Sequence, residues 1–155
     1  MTQLPIGVEA PDFELHTVDG YTRRLSEALQ HGPVVLVFYK AGCSTCQFTF
    51  PFIQQIYSTV GQTARWTLWA ISEDNTGETL DFVKQHGITF QVLIDEHPYP
   101  VSAAYGLQNV PAIFVVQPDG TIGLSDFGFS KDTLNQIVGF SFLAPDDGLP
   151  SRRPG

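Results

Sequence analysis

Cys43 and Cys46 are the only two cysteines of the 155-residue chain, and they form a Cys-Ser-Thr-Cys unit directly after the apolar run Val34-Val35-Leu36-Val37-Phe38-Tyr39. Sulfurs three residues apart at a helix start lie within reach of one another, so they can form a single disulfide that opens and closes. A strand running into such a helix start also sets the first sulfur among unpaired backbone N–H groups, where the helix dipole favours a thiolate. The pair reads as redox-active, with no cofactor beyond its own disulfide. A structural zinc site would need about two further ligands, and His16, His31, His86 and His97 form no close pair in the sequence. Haem attachment requires a histidine after the second cysteine, and Gln47 stands there. Buried, inert thiols are the plain alternative.

The rest of the composition narrows the partners. With 155 residues and 43% hydrophobic content, the chain can bury a core without disulfide staples, so the cysteines are chemical. A formal charge of −8 with only eight Lys and Arg lacks the basic surface that nucleic acid demands and disfavours acidic partners. Met1 to Ala10 shows no basic stretch followed by an apolar one, and no apolar run approaches the roughly 20 residues of a membrane span. The expected location is the cytoplasm without membrane contact, or the periplasm if a signal or anchor has been trimmed. One domain over residues 1–143 and a flexible Pro/Gly-rich tail over 144–155 are expected; nothing in the sequence speaks to oligomeric state.

The elements that must position the sulfurs follow from periodicity and punctuation. Phe13–His16 and Tyr21–Arg24 flank the Asp19-Gly20 turn as a small hairpin. Ser26 is expected to cap a helical turn reaching Leu29, and Gly32-Pro33 breaks the chain before Val34–Tyr39, a strand apolar on both faces and therefore central. From Cys43 to about Val60, Phe48, Phe52, Ile56 and Val60 recur every four residues and predict a helix, which Pro51 interrupts. Arg65–Ile71 reads as a second buried strand. Asn75, with Glu78 three residues on, starts a helix to about His86. Gln91–Ile94, a short helix Val101–Tyr105, Ala112–Val116, the Pro118-Asp119-Gly120 turn and the returning Thr121–Phe127 complete the sheet. Ser130 caps a last helix, Lys131–Phe142. Alternating strands and helices make an α/β layered sandwich.

A strand, the Cys43/Cys46 helix start, Pro51, and Tyr105-Gly106-Leu107-Gln108-Asn109-Val110-Pro111 before a strand together resemble the thioredoxin-like fold. Gly7, Ala10-Pro11-Asp12-Phe13, Leu15 and Gly32-Pro33-Val34-Val35-Leu36-Val37-Phe38-Tyr39 narrow the resemblance to its redoxin branch, the thiol:disulfide oxidoreductases and peroxiredoxins, over about Gly7–Phe142. The resemblance implies a three-layer sandwich with a central mixed sheet, an N-terminal hairpin and a cis peptide bond at Val110–Pro111 facing the cysteines, so that Pro111 joins the catalytic set. It also implies that the Val110 backbone pairs with an extended substrate segment, beside Gly42, Ser44 and Thr45.

The sequence departs from the family pattern in two ways. Gly42 stands where a Trp is usual, with Ser44 and Thr45 where a Pro is often found; and Val37 occupies the position of the buried acid of thioredoxins proper. Proton transfer is therefore assigned to Lys40, Glu73 or water. The peroxiredoxin signature Pro-x-x-x-Thr/Ser-x-x-Cys fails at both sulfurs: Tyr39 and Cys43 precede Cys46, and Leu36 and Lys40 precede Cys43. No Arg lies between Arg65 and Arg152, so the family's distant cation is also missing. The expected function is a thiol:disulfide oxidoreductase in which Cys43 attacks and Cys46 resolves. Its partners would be disulfide-containing proteins and a dithiol donor such as a thioredoxin system. An atypical peroxiredoxin and a non-enzymatic redox sensor or binding module are the alternatives.

Overall fold

The computed structural model describes residues 2–139, 143 and 147–155. A hairpin of β1 (Glu14–Thr17) and β2 (Thr22–Arg24) closes at the Asp19-Gly20 turn, where the Thr17 hydroxyl donates to Asp19 Oδ1 at 2.5 Å. Helix α1 (Leu25–Ala28) follows at once. Its cap is not Ser26, which lies inside the helix; Asp12 Oδ1 accepts the Ser26 N–H at 2.9 Å instead. Open N–H groups at a helix start donate to any acceptor that the fold brings near, and a residue twelve or more positions upstream leaves no local signature.

Strand β3 (Val34–Tyr39) is buried at every position. Val34, Leu36 and Phe38 enter one buried cluster while Val35, Val37 and Tyr39 enter the other, so a continuous apolar run becomes a strand with a core on each face. It pairs in parallel with β4 (Thr67–Ser72), which pairs in parallel with β5 (Gln91–Ile94). On its other side β6 (Ala112–Val116) runs antiparallel, followed by antiparallel β7 (Ile122–Phe127). The mixed sheet has seven strands in the order β2-β1-β5-β4-β3-β6-β7.

Helices α2 (Ser44–Val60), α3 (Thr76–His86), α4 (Pro100–Ala104) and α5 (Lys131–Val138) complete the layers. Cys46, Phe50, Ile53 and Ile56 of α2, Phe82 of α3 and Leu134 of α5 pack on one face of the sheet; Leu25 of α1 and Val101 of α4 pack on the other. This is the three-layer α/β sandwich that the sequence implies. Directly below the sulfurs, the Phe50 ring lies 4.5 Å from Tyr39, 5.1 Å from Phe82 and 6.1 Å from Phe90. Such pairs each add about 0.5–1.5 kcal/mol beyond the area they bury, so the base of α2 is held firmly. Asn75 and Glu78 exchange hydrogen bonds at 2.8 Å as the capping motif predicts.

The end of the chain differs most from the sequence reading. Helix α5 stops at Val138, short of the predicted Phe142, because Gly139 turns left-handed with φ 88°; residues 140–142 lie outside the described residues. Of the predicted flexible tail, 144–146 also lie outside them, but residues 151–155 are docked. Arg152–Arg153 form β9, antiparallel to the two-residue strand β8 (Phe129–Ser130). Gly128, at φ 76°, admits this approach, since a Cβ there would collide with the Arg153 carbonyl oxygen. Pro and Gly content marks a segment without helix or sheet propensity, yet says nothing of an open edge elsewhere that can hold its backbone. His97–Pro98 is cis in addition to Val110–Pro111. No helix among the described residues is long and apolar enough to cross a membrane.

Candidate active site

Strand β3 delivers the chain into a tight loop, where the Cys43 N–H donates to the Lys40 carbonyl at 3.2 Å. Cys43 is then the N-cap of α2 in extended conformation, and its Sγ accepts the Cys46 N–H at 3.2 Å. A sulfur thus fills the place where a Ser, Asp or Asn oxygen commonly satisfies a helix N-terminus. Both cysteines are free thiols with unequal exposure: Cys43 is half-buried, Cys46 fully buried among the α2 core residues. Burial pushes the Cys46 thiol up strongly, with its hydrogen bonding toward Cys43 acting in the same direction and the nearby Asp74 charge adding to it. At neutral pH Cys46 keeps its proton.

Across the site Val110–Pro111 is cis, as the family likeness implies, and the Cys43 thiol donates to the Val110 carbonyl at 3.4 Å. Gly42 leaves open space, since a Cβ there would meet nothing within 4 Å. Cys43, Cys46, Pro111, Val110, Gly42, Ser44 and Thr45 therefore share one end of the sheet. Lys40 and Glu73 stand at the rim and face one another, 3.7 Å apart, with the Lys40 side chain 52% exposed.

The acid that reaches the cysteine loop is Asp74, which the sequence reading passed over in favour of its neighbour. Asp74 Oδ2 accepts the Ala41 N–H at 2.7 Å, and the Asp74 N–H donates to Ser72 Oγ at 3.0 Å. Ser72 and Thr79 hydroxyls hydrogen-bond at 2.8 Å, and Thr79 Oγ1 donates to the Asn75 carbonyl at 2.7 Å. This chain of bonds fixes the β4–α3 loop under the motif. In a loop, side-chain direction has no fixed period, so choosing between adjacent acids was beyond the sequence.

The docked segment lies over the site. Arg153 lies with its guanidinium 4.9 Å from the centre of the Phe48 ring and donates to Ser44 Oγ at 3.4 Å, while Thr45 Oγ1 donates to the Pro154 carbonyl at 2.7 Å. A Cβ on Gly155 would collide with the Val110 carbonyl. A cation therefore does stand beside the motif, contrary to the expectation drawn from Arg spacing, because the fold returns a distant segment to it. Arg152 forms a two-pronged pair with Asp126 at 2.7 and 3.2 Å. Burial works against the Asp126 charge, but bonds from Arg152, Thr133 and the Phe127 N–H hold its carboxyl below the usual range. Among the described residues no group of three or more His, Cys, Asp or Glu could hold a metal ion.

The signature of the AhpC/TSA family matches residues 6–125. The chain belongs to the AhpC/TSA family. The matched stretch contains the sulfur pair, Asp74 and Pro111; β8 and the docked segment fall beyond it. The thiol-disulfide oxidoreductase ResA of Geobacillus thermodenitrificans is 28% identical over 125 residues, 78% of this chain and 68% of that protein. A putative thiol:disulfide interchange protein DsbE from Chlorobium tepidum is similar with a TM-score of 0.75 at 26% identity, over 86% of this chain and 92% of the other. A putative protein disulfide isomerase from Bacteroides thetaiotaomicron shares the fold, with a TM-score of 0.80 at 24% identity over 90% and 91% of the two chains. The fold of this AhpC/TSA member is thioredoxin-like.

Proposed function

We propose that the protein is a thiol:disulfide oxidoreductase in which Cys43 attacks and Cys46 resolves. The observation that carries this reading is the asymmetry of the pair: a half-exposed sulfur capping α2 and receiving a backbone N–H, with a buried, protonated thiol one turn further in. The Cys43 thiolate attacks one sulfur of a client disulfide, forming a mixed disulfide and releasing the client's other sulfur as a thiolate that takes up a proton. Cys46 then gives up its proton and attacks Cys43 Sγ. The client's remaining sulfur leaves as a thiol, and the Cys43–Cys46 disulfide forms. The client has gained two electrons and two protons, and a dithiol donor, such as a thioredoxin system, restores the pair. Reduction is the direction suited to the cytoplasmic location that the sequence reading favours.

In this reading Gly42 gives a client room beside Cys43, Ser44, Thr45 and Val110 contact its backbone, and Pro111 borders the reacting sulfurs. Lys40 and Glu73 pair with one another, so the proton from Cys46 passes by way of Asp74 and water in preference to them. Turnover of insulin or a peptide disulfide with dithiothreitol tests the assignment; no rate above the uncatalysed exchange rules it out and favours a redox sensor. One observation favours a second reading, peroxide reduction: Arg153 places a cation at Ser44. Fast peroxide consumption by the Cys43→Ser protein would establish that reading.

A further inference from the structure

Strand β8 is an edge of two residues along which residues 151–155 lie. Phe129 faces Arg153 and Ser130 faces Arg152, and the Lys131 N–H donates to the Ser151 carbonyl at 3.0 Å. From there the segment crosses Ser44, Thr45 and Phe48 and ends beside the Val110 carbonyl, the same oxygen that accepts the Cys43 thiol. Three of the residues assigned to client contact, Ser44, Thr45 and Val110, are thereby occupied by the chain itself. Backbone pairing of this kind accepts any extended segment, whereas side-chain pockets choose among them. Here the two choosing contacts are both for basic groups: the Asp126 carboxylate, which grips Arg152 with two bonds, and the Phe48 ring face, which carries Arg153. Arg152 also donates to the Phe127 carbonyl at 3.0 Å.

We propose that the surface beneath residues 151–155 is the client-docking edge of the redox site, that it selects extended segments carrying basic residues, and that residues 151–155 are its resting occupant. This rests on the oxidoreductase reading and adds its client class and its control. A client must displace the segment to bring a disulfide to Cys43, so the segment lowers apparent affinity without touching the chemistry. An internal competitor that leaves the edge free on the order of 10–20% of the time weakens client binding about five- to tenfold.

Four proteins test it: the full chain, a variant with residues 151–155 deleted, Arg152→Glu in the full chain, and the deletion variant carrying Asp126→Asn. Each is assayed with a disulfide-bridged peptide carrying two Arg residues beside the bridge, with its Glu counterpart, and with 5,5′-dithiobis(2-nitrobenzoic acid), a small disulfide that needs no docking edge. The expected result is a KM for the Arg peptide about five- to tenfold lower for the deletion variant and for Arg152→Glu, with kcat unchanged. The added peptide Ser-Arg-Arg-Pro-Gly should restore the full chain's KM, and Asp126→Asn should erase the preference of Arg over Glu. An unchanged or higher KM in both Arg152→Glu and the deletion variant, with the small disulfide still consumed at the full-chain rate, overturns the docking edge alone. Failure of every protein, the full chain included, to turn over any of the three disulfides overturns the oxidoreductase reading and the proposal with it.

Discussion

Replacing the buried thiol, Cys46→Ala, should change how the reduced protein's stability responds to alkali. Burial holds the Cys46 thiol protonated well above the ordinary thiol value of 9.0, whereas unfolding exposes it and lets it ionise near that value. The unfolded state therefore binds fewer protons above about pH 9, so this part of the stability is fully present below that pH and is lost as pH rises. The limiting slope is about 1.4 kcal/mol per pH unit per group. Between about pH 8 and about pH 10, Cys46 alone should remove a little over about 1 kcal/mol. Tyr39 and Tyr105, also pushed up by burial from 10.0, together remove roughly another 1 kcal/mol over the same range. Wild type should lose about 2 kcal/mol and Cys46→Ala about half of that. The cavity left by the missing sulfur is a pH-independent cost and cancels in the difference. With a urea slope of about 2 kcal/mol per M, the wild-type midpoint should fall by roughly half a molar more than the variant's, read by urea titration under reducing conditions at the two pH values. Equal alkaline losses would refute the argument, as would alkylation of Cys46 in Cys43→Ser at the rate of a free thiol, because either result means that Cys46 ionises in the folded protein.

Cys46→Ser should accumulate mixed disulfides with a client or a small thiol, since the first attack survives and the resolving step is gone, while Cys43→Ser should trap none; non-reducing mass spectrometry of both separates the roles. Mild oxidation of the wild type should give an intramolecular disulfide, seen as the loss of two hydrogens in the monomer, and predominant dimers would contradict the Cys43–Cys46 geometry. Asp74→Asn and Asp74→Ala should both slow disulfide exchange and alter its pH dependence, Asp74→Ala somewhat more because asparagine retains an acceptor for the Ala41 N–H. A wild-type rate and pH profile in Asp74→Asn would remove Asp74 from the proton route. Asn75→Ala should cost about 1 kcal/mol in chemical denaturation through loss of the bond from the Glu78 N–H, with exchange kinetics nearly unchanged.

The sequence by itself determined the chemistry and the central scaffold. Two cysteines three positions apart at the end of a six-residue apolar run fit a strand that opens into a helix start, and both relations are local, spanning a dozen residues. The same locality made the Asn75 cap and the β6–β7 turn legible, whereas the place of Pro111 beside the sulfurs was legible only through the family resemblance. What escaped was decided by contacts between residues far apart in the chain. Asp12 caps α1 from a preceding loop, and Asp74 and not Glu73 turns toward the cysteine loop. The docking of residues 151–155 is the largest such case: Arg153 meets Ser44 across 109 positions of sequence and Arg152 meets Asp126 across 26. Neither end of such a contact carries a local pattern. Its free energy depends on an edge, a ring and a carboxylate that come together only once the sheet and α2 have formed, and so the tertiary structure alone set what lies over the sulfurs.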